Sequence, residues 1–347
     1  MAAAAPLAEA VLAEAALAEA ALAPPTAVLP NLFPFVFVGC WNQPGEEGDA
    51  SPPRDTVAAA INSIKDSFQF IVLGGDNVYP KPTKPNPNGS KAKKKHEYSV
   101  FEEGINLYAS IDKPIIPAFG NHNVELLAKE MEYFKVSKTY GRYDFVDNDN
   151  IHMFVLDTNR IIDKEKSSVD YNEMLEWFRV QVSSLPDGHK YFVAQHEPYF
   201  TARLKGTGEL VNANLFLDVL FSRPPIAILC ADTHHYQHAT IESNTHPGII
   251  LHQFIVGTGG ANRDKHFPYF TNYEFQKKYK FTQINAIEGF GFLRINAPDP
   301  AAFEFIKVMD WIGMGGRRKS RRRRRRLSRR LSRRLSRRRS NKTQKTQ

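Results

Sequence analysis

Five short polar blocks, each placed directly after a run of apolar residues, constrain this chain most strongly. The apolar runs are typical of buried β-strands, and helix-like stretches separate them, so strand and helix alternate along the chain. The blocks are Gly39-Cys40-Trp41, Gly75-Asp76-Asn77-Val78-Tyr79, Gly120-Asn121-His122-Asn123, Gln195-His196-Glu197-Pro198 and Cys230-Ala231-Asp232-Thr233-His234. In α/β folds the carboxyl ends of strands present side chains to a ligand. This placement predicts a metal site assembled from several loops.

The alternation predicts stacked layers of sheet and helix. Strands are predicted before the blocks at residues 35–38, 70–73, 114–119, 191–194 and 226–229. Helices are predicted at residues 56–67, 97–110, 124–134, 170–184 and 212–221. Four further β-like segments, at residues 151–157, 238–242, 249–256 and 290–296, predict a second and more antiparallel sheet.

The order of the blocks resembles that of the calcineurin-like metallophosphoesterases, and within them the purple acid phosphatase branch. The Gly-Asp-x-x-Tyr and Gly-Asn-His blocks of that family are matched by Gly75, Asp76 and Tyr79, and by Gly120, Asn121 and His122. The resemblance covers residues 31–312. It implies an α/β protein with a layered two-sheet metallophosphoesterase sandwich flanked by helices.

The resemblance also implies a dinuclear metal site that hydrolyses phosphate esters, most often monoesters, with water activated between the metal ions. Two cations about 3.5–4 Å apart neutralise the phosphoryl oxygens and lower the pKa of a bound water. The implied ligands are Cys40, Asp76, Tyr79 and His234 for the first metal ion, and Asp76, Asn121, His196 and Asp232 for the second. His122, which is next to a ligand, is implied to stabilise the transition state or to protonate the leaving oxygen.

Three positions depart from the family pattern. Cys40 stands where the family has Asp, Asp232 stands where it has the first His of Gly-His-x-His, and Asn123 replaces an acid. A thiolate is a soft ligand and a carboxylate is a hard one. The identity of the two metal ions therefore stays open, with divalent or mixed-valence Fe, Zn or Mn as the candidates.

Two of these assignments have alternatives. Cys40 is equally well interpreted as a small buried hydrophobic residue, which is how a free cysteine often packs. His235 and His238 compete with His234 for the last ligand position. His234 is favoured because Tyr236 then stands where the family often has an aromatic residue.

A lysine-rich segment, residues 81–96, follows the second block and includes Lys93, Lys94 and Lys95. Its prolines, asparagines and glycine predict a mobile loop over the site, and its charge favours binding of an anionic, phosphorylated substrate. A loop that is merely solvated is equally consistent with the composition.

The chain is long enough for one large domain, at 347 residues. Its two cysteines, Cys40 and Cys230, argue against a disulfide framework, although a pairing between them stays open. Residues 1–30 form an Ala/Glu/Pro-rich appendage without Lys or Arg, and its glutamates and prolines argue against a secretory signal and a transmembrane segment. We therefore expect an intracellular protein, cytoplasmic or nuclear and not secreted.

The C-terminal segment, residues 313–347, carries 18 Lys and Arg and no acidic residue. The first 312 residues therefore hold 28 of the 46 basic residues against 37 acidic ones, a net charge of −9. This composition predicts a disordered Arg/Ser-rich tail that binds a polyanion, with nucleic acid as the first expectation. The densest run is Arg321, Arg322, Arg323, Arg324, Arg325 and Arg326.

Other interpretations of the tail stay open. An anionic membrane surface, a nuclear address and a solvated tail without a partner are alternatives to nucleic acid. Ser328, Ser332 and Ser336 each follow Arg-Arg-Leu, which resembles a basophilic kinase site, and phosphorylation there would weaken polyanion binding.

The sequence leaves three functions open. The first is a dinuclear metal phosphoesterase. The second is a catalytically weak relative that binds a phosphorylated ligand. The third is a nucleic-acid-binding protein that acts mainly through its basic tail.

Overall fold

Two large sheets and five helices build the described part of the chain. The computed structural model describes residues 27–29, 31–44, 53–80, 97–122, 125–148, 150–158, 168–203, 206–209, 213–261, 272–275 and 277–310. The chain divides after Val308 into two units, and the second is described only at Met309 and Asp310.

The strands are β1 Ala27–Leu29, β2 Phe35–Val38, β3 Ile71–Gly74, β4 Ile115–Ala118, β5 Gly141–Phe145, β6 Ile151–Val155, β7 Lys190–Ala194, β8 Phe200–Arg203, β9 Gly206–Glu209, β10 Ala227–Cys230, β11 Tyr236–Ser243, β12 His246–Val256, β13 Asn272–Phe275, β14 Tyr279–Ile287, β15 Phe290–Ile295 and β16 Phe303–Met309. The helices are α1 Pro53–Ser63, α2 Tyr98–Ala109, α3 Leu127–Phe134, α4 Ser168–Ser183 and α5 Ala213–Ser222, with short 3-10 turns at Lys65–Ser67 and Pro300–Ala302.

The strands pair into a nine-stranded and a five-stranded sheet, with β8 and β9 forming a separate hairpin. The order is β1-β5-β6-β7-β10-β12-β11-β14-β13 in the larger sheet and β16-β15-β2-β3-β4 in the smaller one. Both sheets are mixed: β6, β7, β10 and β12 run parallel in the larger sheet, as do β2, β3 and β4 in the smaller one, while the outer strands are largely antiparallel.

The alternation of side chains along β7 shows how the layers stack. Tyr191 and Val193 pack in a core with helices α4 and α5, whereas Phe192 and Ala194 pack in a second core between the two sheets. Successive residues of a strand point to opposite faces, so one strand serves both cores. In the inter-sheet core Phe192 meets Phe35 of β2 edge to face, with ring centroids 5.5 Å apart.

Helices cover the outer faces of the sheets. Helix α4 packs on α5, which lies on β12 of the larger sheet, and α1 packs on α2 and on β15 of the smaller sheet. The described chain is thus an α/β sandwich in which two mixed sheets lie between layers of helices, as predicted.

The predicted helices and strands are all found, with shifts of up to four residues at their ends. The allocation of strands to sheets was wrong. The five strands that precede the blocks divide between both sheets, and Phe290–Ile295 pairs antiparallel with β2 instead of joining the second sheet. Apolar runs indicate burial but carry no information on which sheet a strand joins.

Several strands were not predicted: Ala27–Leu29, Gly141–Phe145, Phe200–Arg203, Gly206–Glu209, Asn272–Phe275, Tyr279–Ile287 and Phe303–Met309. Most of these are short or polar, but Phe303–Met309 is neither. The first of these falls within the predicted appendage and pairs in parallel with β5. The division into residues 1–30, 31–312 and 313–347 otherwise stays a prediction.

None of the helices within the described ranges combines the length and the apolar character that a membrane crossing requires.

Candidate metal centre

The candidate site lies where the carboxyl ends of strands from the two sheets meet. Backbone hydrogen bonds join these ends directly. Gly39 N, just after strand β2 of the smaller sheet, donates to Val256 O in the larger sheet at 3.0 Å. Cys40 N donates to Gly75 O at 3.1 Å, and Ala231 N donates to His196 O at 2.8 Å. Main-chain hydrogen bonds therefore join the first block to the second, and the fourth block to the fifth.

Three of the predicted ligands have a left-handed backbone. The φ angles of Cys40, Asp76 and Asp232 are 49°, 56° and 51°. Each is the second or third residue after a strand, where this conformation turns the chain sharply. Left-handed residues other than glycine cost of order 1–3 kcal/mol each and persist where surrounding contacts hold them. Such positions gather at functional sites, and here all three face the same centre.

Glycines allow the second and third blocks to approach each other closely. A Cβ atom on Gly120 would lie 2.2 Å from Asp76 N and 2.4 Å from Asp76 Oδ1. Gly75 has φ of +88°, and a Cβ there would lie 2.5 Å from His196 Nδ1. The lack of space requires glycine at both positions, and at Gly75 the positive φ requires it as well.

The Asp76 carboxyl group is the centre of the site. It is 2 % exposed. Tyr79 Oη donates to its Oδ2 at 2.6 Å, and His122 N donates to its Oδ1 at 3.2 Å. His196 Nε2 lies 3.3 Å from the same Oδ1. Asp76 is thus shared between two groups of side chains, as a bridging ligand must be.

The first group combines Cys40, Asp76 and His234. Their Sγ, carboxylate oxygen and imidazole nitrogen atoms all lie within 4.8 Å of one another. Tyr79 joins them, since its Oη lies 3.1 Å from His234 Nε2. Sulfur, oxygen and nitrogen donors of this kind can hold Zn²⁺ or Fe²⁺.

The second group lies on the other side of Asp76 and includes His196 and Asp232. His196 Nε2 is 4.0 Å from Asp232 Oδ1, and His196 is fully buried. His196 Nδ1 donates to Gly74 O at 2.8 Å, which leaves Nε2 as the ring nitrogen that faces both carboxylates.

The ionisation of the centre reflects this concentration of charge. Burial disfavours the imidazolium, but the charge of Asp76 raises the pKa of His196 to about 10. Burial likewise opposes ionisation of Asp76, yet His196 holds the pKa of that carboxyl well below its usual range. Burial and the neighbouring carboxylates raise the pKa of the Cys40 thiol well above its ordinary value. A cation at the centre would therefore displace protons as it binds.

These residues fit a metal centre on chemical grounds. His196 Nε2 is buried, and within the described residues no hydrogen bond of good geometry satisfies it, although Asp76 Oδ1 lies 3.3 Å away. Such orphaned polar atoms are uncommon in folded proteins and require an explanation, such as an ion. The surrounding set of thiol, phenol, imidazole and carboxylate groups consists entirely of metal-binding types.

The remaining predicted site residues differ in where they lie. The His122 ring packs against the Tyr79 ring, with centroids 4.6 Å apart, and is partly exposed at the rim of the centre. The neighbouring Asn121 is exposed. Outside the described residues lie Asn123, Lys93, Lys94, Lys95, the run from Arg321 to Arg326, and the three tail serines.

The structure separates the three candidate histidines of the last block. His234 lies beside Tyr79 and Asp76. His238 instead pairs with His252, at 3.1 Å between Nε2 and Nδ1, and stacks on Phe254. His235 is fully buried. Cys40 and Cys230 are both free thiols and both are buried, so the pairing left open above is not formed.

Sequence reasoning missed two sets of supporting residues. Asn77, which lies inside the second block, joins Trp41 and Glu130 in a buried network. Glu197 is also buried and accepts a hydrogen bond from Thr158 Oγ1. Burial raises the pKa of Glu197 to about 7. The blocks contain Asn77 and Glu197, but Glu130 and Thr158 have no sequence signal.

Comparison with solved structures supports the fold. Purple acid phosphatase PPD1 from yellow lupin (Lupinus luteus) seeds aligns with a TM-score of 0.56 and 14% identity, over 82% of this chain and 53% of the lupin chain. The chain has the fold of a purple acid phosphatase. It spans about half the length of that enzyme.

A second similar structure is GAP50, described as the anchor in the inner membrane complex of Plasmodium. It aligns with a TM-score of 0.54 and 12% identity, over 80% of this chain and 88% of GAP50. No protein-family model matches the sequence, and no curated protein matches it. The likeness to known proteins is therefore structural and concerns the fold.

The comparison with GAP50 contradicts the expected cytoplasmic or nuclear location. A protein of similar structure serves as an anchor in a membrane complex. The expectation was wrong because it relied on the composition of residues 1–30, which argued against a signal and a spanning segment. Neither feature prevents a folded domain from being held at a membrane by other contacts.

Gly120→Ala tests the close approach of the second and third blocks. The added methyl group overlaps the Asp76 main chain and Oδ1, so we expect Asp76 to move and Zn²⁺ affinity to fall about tenfold or more, or about 1.4 kcal/mol. Gly248→Ala is the control, since it adds a methyl group at a positive φ with no atom within 4 Å. Calorimetric titration of both variants checks the prediction, and equal affinities would contradict it.

Proposed function

We propose that this chain is a metal-dependent phosphoesterase that hydrolyses phosphate esters, with monoesters as the class expected from the family it resembles. The observation that carries the proposal is the shared Asp76 carboxylate. On one side it meets Cys40 and His234, and on the other it meets the orphaned Nε2 of His196. Two cation positions that share one carboxylate are the arrangement that dinuclear phosphoester hydrolysis requires.

The proposed ligands are the two groups of side chains described above together with Asn121, which is exposed and is added from the family resemblance. Cys40, Asp76, Tyr79 and His234 would hold the first metal ion, and Asp76, Asn121, His196 and Asp232 the second. Bound there, two ions of Fe, Zn or Mn would lower the pKa of a water and neutralise the phosphoryl oxygens.

His122 is proposed as the catalytic residue of the protein itself. Its backbone N–H donates to Asp76, which fixes the main chain, while its ring is partly exposed. From that position the imidazole can donate a proton or a hydrogen bond to the leaving oxygen. Lys93, Lys94 and Lys95 are proposed to attract the anionic substrate.

A second candidate function is binding of a phosphorylated ligand without efficient turnover. The changed ligands Cys40 and Asp232 favour it, because they alter the hardness of both metal positions. The similarity to GAP50, described as an anchor, also favours it. Metal content together with turnover of a generic aryl phosphate distinguishes this function from the first.

The basic tail is proposed to bind a polyanion, with nucleic acid as the expected partner. The observation behind this proposal is that the excess positive charge of the chain lies in residues 313–347. Contacts to phosphates carry no sequence preference and depend strongly on salt.

Asp76→Asn tests the bridging carboxylate. The substitution keeps the size of the side chain but removes the charge shared by both positions. We expect metal-dependent hydrolysis to fall by about 100-fold or more, since even outer-shell changes at metal sites cost about 10–100-fold. Steady-state turnover of an aryl phosphate and circular dichroism check activity and folding together.

His122→Ala provides the contrasting variant. It should keep both metal ions while turnover falls by about 10²–10⁴, the usual contribution of a general acid or base. Normal turnover of a folded, metal-loaded Asp76→Asn protein would rule out the bridging role. Loss of metal from His122→Ala would show that His122 is a ligand instead.

Variants of Cys40 decide between ligand and buried hydrophobic residue. If the thiolate binds the first metal ion, Cys40→Ser should weaken binding, and Cys40→Asp should restore or improve it by recreating the ligand of the family. Metal stoichiometry and affinity of the three proteins give the answer. Equal values in all three would favour the buried hydrophobic residue.

Deletion of residues 313–347 tests the tail. We expect the truncated protein to lose most affinity for DNA, while the full chain shows log affinity falling with log salt at a slope of about −0.9 per neutralised phosphate. Hydrolysis of a small phosphate ester should hardly change. Fluorescence anisotropy over a salt series measures the binding. Unchanged DNA affinity after deletion would place the binding surface in the folded domain.

A further inference from the structure

The side chain of Asn77 connects three of the strand ends that form the candidate metal centre. Asn77 is fully buried. Its Oδ1 accepts a hydrogen bond from Trp41 Nε1 at 2.9 Å. Its Nδ2 donates to Ala118 O at 3.2 Å and to Glu130 Oε2 at 3.0 Å. One amide therefore links the loop of the first block, the loop of the second block, strand β4 and helix α3.

These contacts are made beside the proposed ligands. Trp41 follows Cys40 and Asn77 follows Asp76, while Ala118 precedes Asn121 by three residues. A change in the position of the Asn77 amide therefore reaches ligands on three separate segments of the chain.

The orientation of the Asn77 amide is fixed by its partners. An indole N–H can only donate, and a backbone carbonyl can only accept. Oδ1 must therefore face Trp41, and Nδ2 must face Ala118 and Glu130. The Glu130 carboxyl group, on the first turn of helix α3, holds the second amide hydrogen in place.

The backbone of Asn77 is held as well. Asn42 Nδ2 donates to Asn77 O at 2.7 Å and to Val100 O at 3.0 Å. Arg54 donates to Asn42 Oδ1 at 2.9 Å, and Gly104 leaves room for the Asn42 side chain. Asn77, the residue that follows Asp76, is therefore held through both its side chain and its main-chain carbonyl group.

We infer that Asn77 and Glu130 are positioning residues that hold Asp76 in its left-handed, metal-binding conformation. The inference rests on the proposed metal centre, and it adds two residues that hold a proposed ligand in position. An uncommon backbone conformation persists when the surrounding contacts over-determine it. Asn77, the residue next to Asp76, supplies those contacts. Neither Asn77 nor Glu130 is proposed to touch the metal ions or the substrate.

Two substitutions of Glu130 separate positioning from simple packing. Glu130→Gln keeps an oxygen that can accept from Asn77 Nδ2, whereas Glu130→Leu keeps the bulk but removes the acceptor. We expect Zn²⁺ affinity of the full chain to fall about tenfold in Glu130→Leu and to stay near the wild-type value in Glu130→Gln. Titration of Zn²⁺ into the metal-free full chain measures both, without any need for activity.

The Trp41 indole provides a second readout. The chain has three tryptophans, and ¹⁵N labelling of their indoles resolves Trp41 by the loss of its signal in Trp41→Phe. Exchange of the Trp41 indole proton with water should be faster in Glu130→Leu than in wild type, and close to wild type in Glu130→Gln. A role in packing alone would leave the exchange near wild type in both variants, since both keep the bulk of the side chain.

Three further variants serve as controls. Glu132→Leu changes an exposed glutamate of the same helix and should leave affinity unchanged. Leu220→Ala removes a buried side chain from α5, in the core shared with α4, so it measures how far lost stability alone lowers affinity. Asp76→Asn should abolish Zn²⁺ binding at the centre.

The outcomes distinguish the two proposals. Wild-type Zn²⁺ binding in Asp76→Asn overturns the metal centre itself. Loss of binding in Asp76→Asn with wild-type affinity in folded Glu130→Leu overturns only the positioning role. If Glu130→Leu does not fold, Trp41→Phe decides, because it removes the donor to Asn77 Oδ1 while keeping an aromatic ring. Weaker Zn²⁺ affinity in that variant supports the inference, and wild-type affinity overturns it.

Discussion

The close approach of the Gly120 main chain to Asp76 is the contact on which the rest of the centre depends. It brings the ends of β3 and β4 so near each other that no side chain fits between them. A hydrogen bond from Gly39 to Val256 then joins the end of β2 to the larger sheet, and one from Ala231 to His196 joins the ends of β7 and β10 within that sheet. The proposed ligands come from five segments, and these main-chain contacts, which vary little with side-chain identity, help to set their relative positions.

The burial that shapes the centre also sets its charge. Asp76, His196 and Cys40 lie where water cannot screen them, so each shifts the ionisation of the others. Ion pairs in such a place are stable only when their geometry is fixed. This requirement is consistent with the buried hydrogen bonds that surround the candidate site.

Local sequence patterns predicted the elements and the neighbourhood of the ligands, because apolar runs and polar strand ends are local properties. The strand Phe35–Val38 was predicted to the residue, and Cys40, Asp76, His196 and His234 do lie together. Allocation of strands to sheets failed, because it depends on pairing between distant segments. Glu130 was missed for a similar reason: an isolated glutamate in a helix looks solvated until its partner, 53 residues away, is known.

The left-handed backbone at Cys40, Asp76 and Asp232 has a consequence for how such a protein can evolve. Asparagine, aspartate and glycine tolerate this conformation better than other residues do. Exchanges among these three residues at such positions change the chemistry of the centre while leaving the turns intact. A domain of this kind can therefore exchange or lose a metal-binding side chain in a single step and remain folded. Its scaffold is then available for roles that need shape alone.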